Sequence, residues 1–237
     1  MTKTVFTVGL LIMLMSVSAY GATINKSVKI EAGSESSGAS SVNGSITVGE
    51  NAVVTGGINT VNGAIRVDTG AKIESASTVN GSVKIAANVQ ADDLSTVNGS
   101  VRVGKSATVD GEVEAVNGRI TLESGSTVAN NVSNVNGQID VTGAEIGGDV
   151  STVSGDINIV EGSVVKGDVI VEKPSRWGWS KSKSRKPRVV VGPGATVAGV
   201  IELEREVELF ISETAKVGGV QGVMTLDDAV RFSGARP

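Results

Sequence analysis

The 237-residue chain contains no cysteine and no histidine, and aromatic residues make up only 3% of it. Without cysteine there is no disulfide, no thiol nucleophile and no lipoprotein acyl site. Without histidine, imidazole acid–base catalysis and the commonest zinc sites are excluded, leaving carboxylate, Lys, Ser or Tyr chemistry. Three Phe, two Trp and one Tyr are too few for the interior of a conventional enzyme. Long apolar runs are also missing: the longest, Val5 to Met15, falls short of the ~20 residues that span a bilayer.

What is abundant is glycine, 31 residues against an average near ~7% of a chain. The beginning of the chain is an address. Lys3 precedes the apolar run, and small residues follow at Val17-Ser18-Ala19 and Ala19-Tyr20-Gly21, so residues 1–21 are expected to be a signal peptide. Export to a periplasm or cell surface follows, and a chain without disulfides must then rely on burial and backbone pairing.

The rest is dominated by a repeat. V-N-G recurs at Val42, Val61, Val79, Val97, Val116 and Val135, and V-S-G at Val153, with spacings of 18 or 19 residues. Ile24 to Ile30 matches Val79 to Ile85, so one more repeat begins at Ile24. Further apolar residues follow four, six, twelve and sixteen places after the first Val, as in Ile46, Val48, Val54 and Ile58 after Val42. This pattern predicts three short strands per repeat with polar or Gly-rich corners. A hairpin meander turned at Asn-Gly is the alternative, but it would not stack identical residues on one another. In a coil per repeat, the asparagines from Asn43 to Asn136 form an amide ladder, and the adjacent glycines are expected to take a φ > 0 bend.

After Val171 the repeat breaks and resumes, with Val189, Val191 and Val197 matching Ile157, Ile159 and Val165, and Leu209, Ile211 and Val217 matching them again. The expected fold is therefore all-β: a parallel β-helix solenoid of about ten coils of 18–20 residues, roughly 48 Å long at ~4.8 Å per coil. Irregular corners favour the right-handed form over a left-handed hexapeptide solenoid. The expected organisation is a leader over 1–21, repeats over 22–171, an inserted loop over 172–188, further coils over 189–220 and a tail or cap over 221–237.

Several surfaces are candidates for function. From Lys173 to Arg188 there are seven basic residues and no acidic one, whereas the remaining mature chain holds 13 basic residues against 25 acidic. Within this insertion Arg176, Trp177, Trp179, Lys181, Lys183, Arg185 and Lys186 are the expected contact surface. Trp and Lys/Arg together suit a glycan, a membrane surface or an anionic envelope polymer. A solvated loop folded onto the acidic rod is the plainer reading. A second basic row reads Lys29, Thr47, Arg66, Lys84, Arg102, Thr121, Asp140 and Asn158, with Arg66, Lys84 and Arg102 stacked. The acid pairs Asp92-Asp93 and Asp227-Asp228 lie next to Leu94 and Leu226, read as core residues, and are expected to mark corners; no metal or cofactor site is expected. The rod ends leave unpaired strand edges, so Ile24, Val28, Ile30, Leu226 and Phe232 are candidates for end-to-end assembly of the chain with itself.

The stretch Val189-Val190-Val191-Gly192-Pro193-Gly194-Ala195-Thr196-Val197-Ala198-Gly199-Val200-Ile201 resembles the coils of bactofilin-type polymer-forming proteins, V-V-V-G-x-G-A-x-V-x-G-x-I. That resemblance is best from Gly162 to Gly219 and implies a right-handed β-helix and nucleotide-independent filaments joined through end coils. Thr152-Val153-Ser154-Gly155-Asp156-Ile157 is similar to bacterial adhesins built from V-S-G-D-I repeats, which are also solenoids. The expectation is an exported, non-enzymatic rod that self-associates or scaffolds in the cell envelope. The alternative is a surface adhesin or glycan-binding module using the Trp loop. Nucleic acid is not an expected partner.

Overall fold

The computed structural model describes residues 24–174 and 185–237. The expected leader therefore lies outside the described residues. Within them the chain is an all-β parallel solenoid of about ten coils with three sheets. Sheet I has eleven strands, from Val28–Ile30 to Val230–Phe232; sheet II has ten, from Glu35–Ser36 to Lys216–Val217; sheet III has ten, from Ala39–Ser41 to Val220–Gly222. Each strand pairs in parallel with the equivalent strand one coil away, so identical positions stack. The register confirms the alignment across the insertion: Ile157 pairs with Val189 and Val189 with Leu209, while Val165 pairs with Val197.

The core follows from period-2 alternation in strands of two to six residues. Ile46, Val48, Val54 and Ile58 are all buried, as are their counterparts coil after coil. Each fully buried Val or Ile contributes about 1.5–3 kcal/mol relative to exposure, repeated at every step of the rod. Small residues such as Ala52, Ala71, Ala107 and Ala195 fill the tight corner between sheets I and II. The valine of V-N-G is different. Strand Ser75–Asn80 places Ala76 and Thr78 inward and leaves Val79 half-buried on the outer face, and Val79 and its counterparts are absent from the core cluster. These valines do stack, but outside.

The corner between sheets III and I carries V-N-G, and its glycines, apart from Gly137 at φ 139°, depart from the expected φ > 0. Left-handed residues sit instead between sheets I and II, at Asn51, Gly70, Asn88, Ser106 and Gly125, with φ of 54–75°. Asn51, Gly70, Ser106 and Gly125 are each the third residue of a turn closed by a backbone hydrogen bond, such as Ala52 N–H to the Gly49 carbonyl at 3.3 Å. At V-N-G the demand is steric. A Cβ on Gly81, Gly99 or Gly118 would overlap the carbonyl oxygen of Gly63, Gly81 or Gly99 in the preceding coil. Thr60, Thr78 and Thr96 donate to the carbonyl oxygens of Gly44, Gly63 and Gly81 at 2.9–3.0 Å, and Ala115 stands at the next position of this column.

The amide ladder beside these glycines is continuous. Each side-chain Nδ2 donates to the preceding Oδ1 over 2.6–3.1 Å, from Asn136 back through Asn117, Asn98, Asn80, Asn62 and Asn43 to Asn25. The insertion leaves from this same corner, between strands Val169–Val171 and Arg188–Val191, whose pairings are undisturbed.

At the C-terminus the tail begins an eleventh coil. Val230 pairs with Phe210, Arg231 with Ile211 and Phe232 with Ser212, continuing the register by which Val190 pairs with Phe210 and Val191 with Ile211. Phe232 is buried over the last coil, and Met224 packs against the core. Leu226, read as a core neighbour of Asp227-Asp228, is instead 39% exposed in a single 3-10 turn. Nothing in the repeat extends that far to cover it. Asp228 caps the turn by accepting from the Thr225 N–H at 2.8 Å.

Candidate functional site

The two feet of the basic insertion are fastened to the rod. On the outgoing side, the Lys173 N–H donates to Glu204 at 2.9 Å. On the returning side, Asp156 accepts from the Arg185 guanidinium at 2.6 Å and from the Arg188 N–H at 2.8 Å. Lys186 pairs with Glu206 at 2.7 Å, and the Arg188 guanidinium lies 4.6 Å from the centroid of Phe210. The mutual hydrogen bond and opposite charge of this pair hold the Lys186 amine above its usual range and the Glu206 carboxyl below its own. Arg185 and Lys186 thus serve the base of the insertion. Arg176, Trp177, Trp179, Lys181 and Lys183 lie outside the described residues.

The second basic row is assembled as read. Arg66, Lys84 and Arg102 stand on neighbouring strands of sheet I, facing outward, with Lys29 two strands before Arg66. Arg102 pairs with Glu123, and Lys29 with Glu31 at 2.7 Å. No ion pair holds Arg66 or Lys84 among the described residues. Past Asn158 this row becomes apolar, as Val190, Phe210 and Val230.

Of the assembly candidates, Ile30 and Phe232 are buried and Val28 is packed against the core, whereas Ile24 is 73% exposed. The exposed large apolar side chains among the described residues are Ile24 at one end and Val223, Leu226 and Val230 at the other. The acid pairs bind backbone: Asp93 accepts from the Glu112 N–H at 2.9 Å in the corner between sheets II and III. Asp149 and Asp168 do the same at 2.8 Å for the Asp168 and Val200 N–H groups. Among the described residues no group of three or more acidic side chains is arranged to hold a metal ion.

One surface is not among those singled out from sequence. The outer face of sheet III carries the seven valines from Val42 to Val153 beside a column of small polar residues, with Ser77 hydrogen-bonded to Ser95 at 2.9 Å. Glu114 is the charged member of those two columns in the first seven coils, and burial, then Glu112 and Asp93, raises its carboxyl above the ordinary range. Counting alternation outward from the buried Thr column would have revealed this face. Comparison with protein-family models, with curated proteins and with solved structures finds no significant match.

Proposed function

We propose that the protein is an exported, non-enzymatic rod of the cell envelope that associates with itself through its ends. The observation that carries this reading is the position of the exposed large apolar side chains, Ile24 at one end and Val223, Leu226 and Val230 at the other. Strand edges accompany them. Among the described residues nothing lies beyond the outer edges of Val28–Ile30, Glu35–Ser36 and Ala39–Ser41, and an open parallel edge is a template for another strand. The likeness of Val189–Ile201 to polymer-forming coils points the same way.

Sedimentation over a range of concentrations tests this reading. The purified chain forms species growing with concentration, and Val223→Lys with Val230→Lys stops that growth without changing the circular dichroism. Growth that ignores the two lysines would overturn end-on association. A second reading, recognition of a glycan or anionic polymer, is favoured by the double anchoring of the insertion at Asp156 and Glu204. It expects Trp177→Ala with Trp179→Ala to abolish polymer binding while leaving assembly intact.

A further inference from the structure

The outer face of sheet III is uniform over its first seven coils. There it presents a ridge of valines, Val42 to Val153, next to a trough walled by the half-buried Ser40, Asn59, Ser95 and Ser133, with Ser77 and Ser151 buried at its floor. The Asn ladder borders the ridge and consumes its own amide donors and acceptors internally. Charge is nearly missing from the ridge and trough, although the repeats as a whole are acidic. Past Val153 the valine column becomes Glu172 and Glu204, where burial and then Glu204 raise the Glu172 carboxyl, so the apolar ridge has a defined end.

We propose that this face packs against the same face of a second copy of the chain, side by side. A two-fold axis parallel to the rods places the valine ridge of each copy in the serine trough of the other. Both copies share one coil spacing of ~4.8 Å, so the side chains interdigitate along the whole seam. The seam is about 34 Å long and roughly 15 Å wide; the two copies together bury about 1,000 Å², the area at which a specific interface begins. Glu114 opposes the pairing because its carboxylate is brought against the partner's valine ridge. This contact is independent of the rod ends and goes beyond end-on association.

The test uses the full chain carrying Val223→Lys and Val230→Lys, so that end-on growth does not contribute. Sedimentation equilibrium is expected to give twice the chain mass, reduced to one chain mass by Val79→Lys, Val97→Lys and Val116→Lys together. Those lysines replace outward side chains, and an unchanged thermal melt shows that the rod is intact. Glu114→Gln is expected to tighten the dimer several-fold. The absence of native cysteine allows the register to be read directly. A Ser95→Cys chain mixed with a Val97→Cys chain is expected to yield mixed products with a short bis-maleimide in about tenfold excess over like-with-like products, since the two-fold sets ridge over trough. A single chain mass at all concentrations, a dimer indifferent to the three lysines, or no excess of mixed product would each overturn the proposal. If the end-on reading fails instead, the chain with native ends is itself this dimer, and the lysine response is unchanged.

Discussion

The first seven coils and those after Val171 share one three-sheet frame but hold the corner between sheets III and I in different ways. In the earlier coils the carbonyl of Lys26 or of a V-N-G glycine faces the next glycine, and the inward column donates to it from hydroxyls at Ser41, Thr60, Thr78 and Thr96 and from the Asn134 amide, with Ala115 between Thr96 and Asn134. In the later coils there is no such glycine, and the same column becomes Val171 and Leu203, both fully buried. The amide ladder likewise gives way to pairs between charges, Lys186 with Glu206 and Arg185 with Asp156. In this column the buried side-chain donors accompany a close backbone approach, and past Thr152 the column reverts to aliphatic packing.

The largest effect should come from the glycines. Gly99→Ala drives a methyl group into the Gly81 carbonyl, whereas Gly162→Ala, at φ 72° with nothing within 4 Å, meets only backbone strain. The expected losses are about 2–4 kcal/mol for Gly99→Ala and about 1 kcal/mol for Gly162→Ala, measured by chemical denaturation. Equal losses would mean that both corners depend on backbone conformation alone.

A smaller effect sharpens the same point inside the column. Asn134 replaces the usual Thr and donates to the Gly118 carbonyl at 2.5 Å, but its Oδ1 is buried without a partner. Asn134→Thr keeps the donor and removes the orphaned acceptor, so stability should rise by about 1 kcal/mol. A loss on this substitution would show that the column tolerates more than hydroxyl geometry.

The smallest effect concerns Glu114, on the outer face of the uncharged columns. Its raised pKa means that the folded chain holds this proton to higher pH than the unfolded chain does. Its contribution to stability is therefore greatest below the ordinary carboxylate range and is lost as pH rises through the folded value. Glu114→Gln should raise the unfolding free energy slightly at neutral pH, by roughly a few tenths of a kcal/mol after solvent screening, and should have no benefit in acid. A variant that helps equally at both pH values would place the effect outside ionisation.

The repeat was legible because each of its parts announces itself locally. The spacing of V-N-G, the matches of Val189 and Leu209 to Ile157, the asparagine column and the stacked Arg66, Lys84 and Arg102 all appear in the register as read. The valines of V-N-G were recognised as a stack, yet their side was not, because a corner interrupts the alternation by which Ile46 and Val48 are placed. Leu226 resembled a core residue beside two acids, but it lies past the last full coil.

By itself the sequence determined the number of coils, their register and the columns that form the core, because like residues at a fixed period have one arrangement that stacks them all. Only the tertiary structure decided why Gly99 must be glycine, which corner turns left-handed, where Asp156 fastens the insertion and how Val230–Phe232 lays Phe232 over the last coil. Each of these depends on how closely backbone or charge from one coil approaches the next. That distance is a property of the assembled rod, to which residues a full coil apart contribute together.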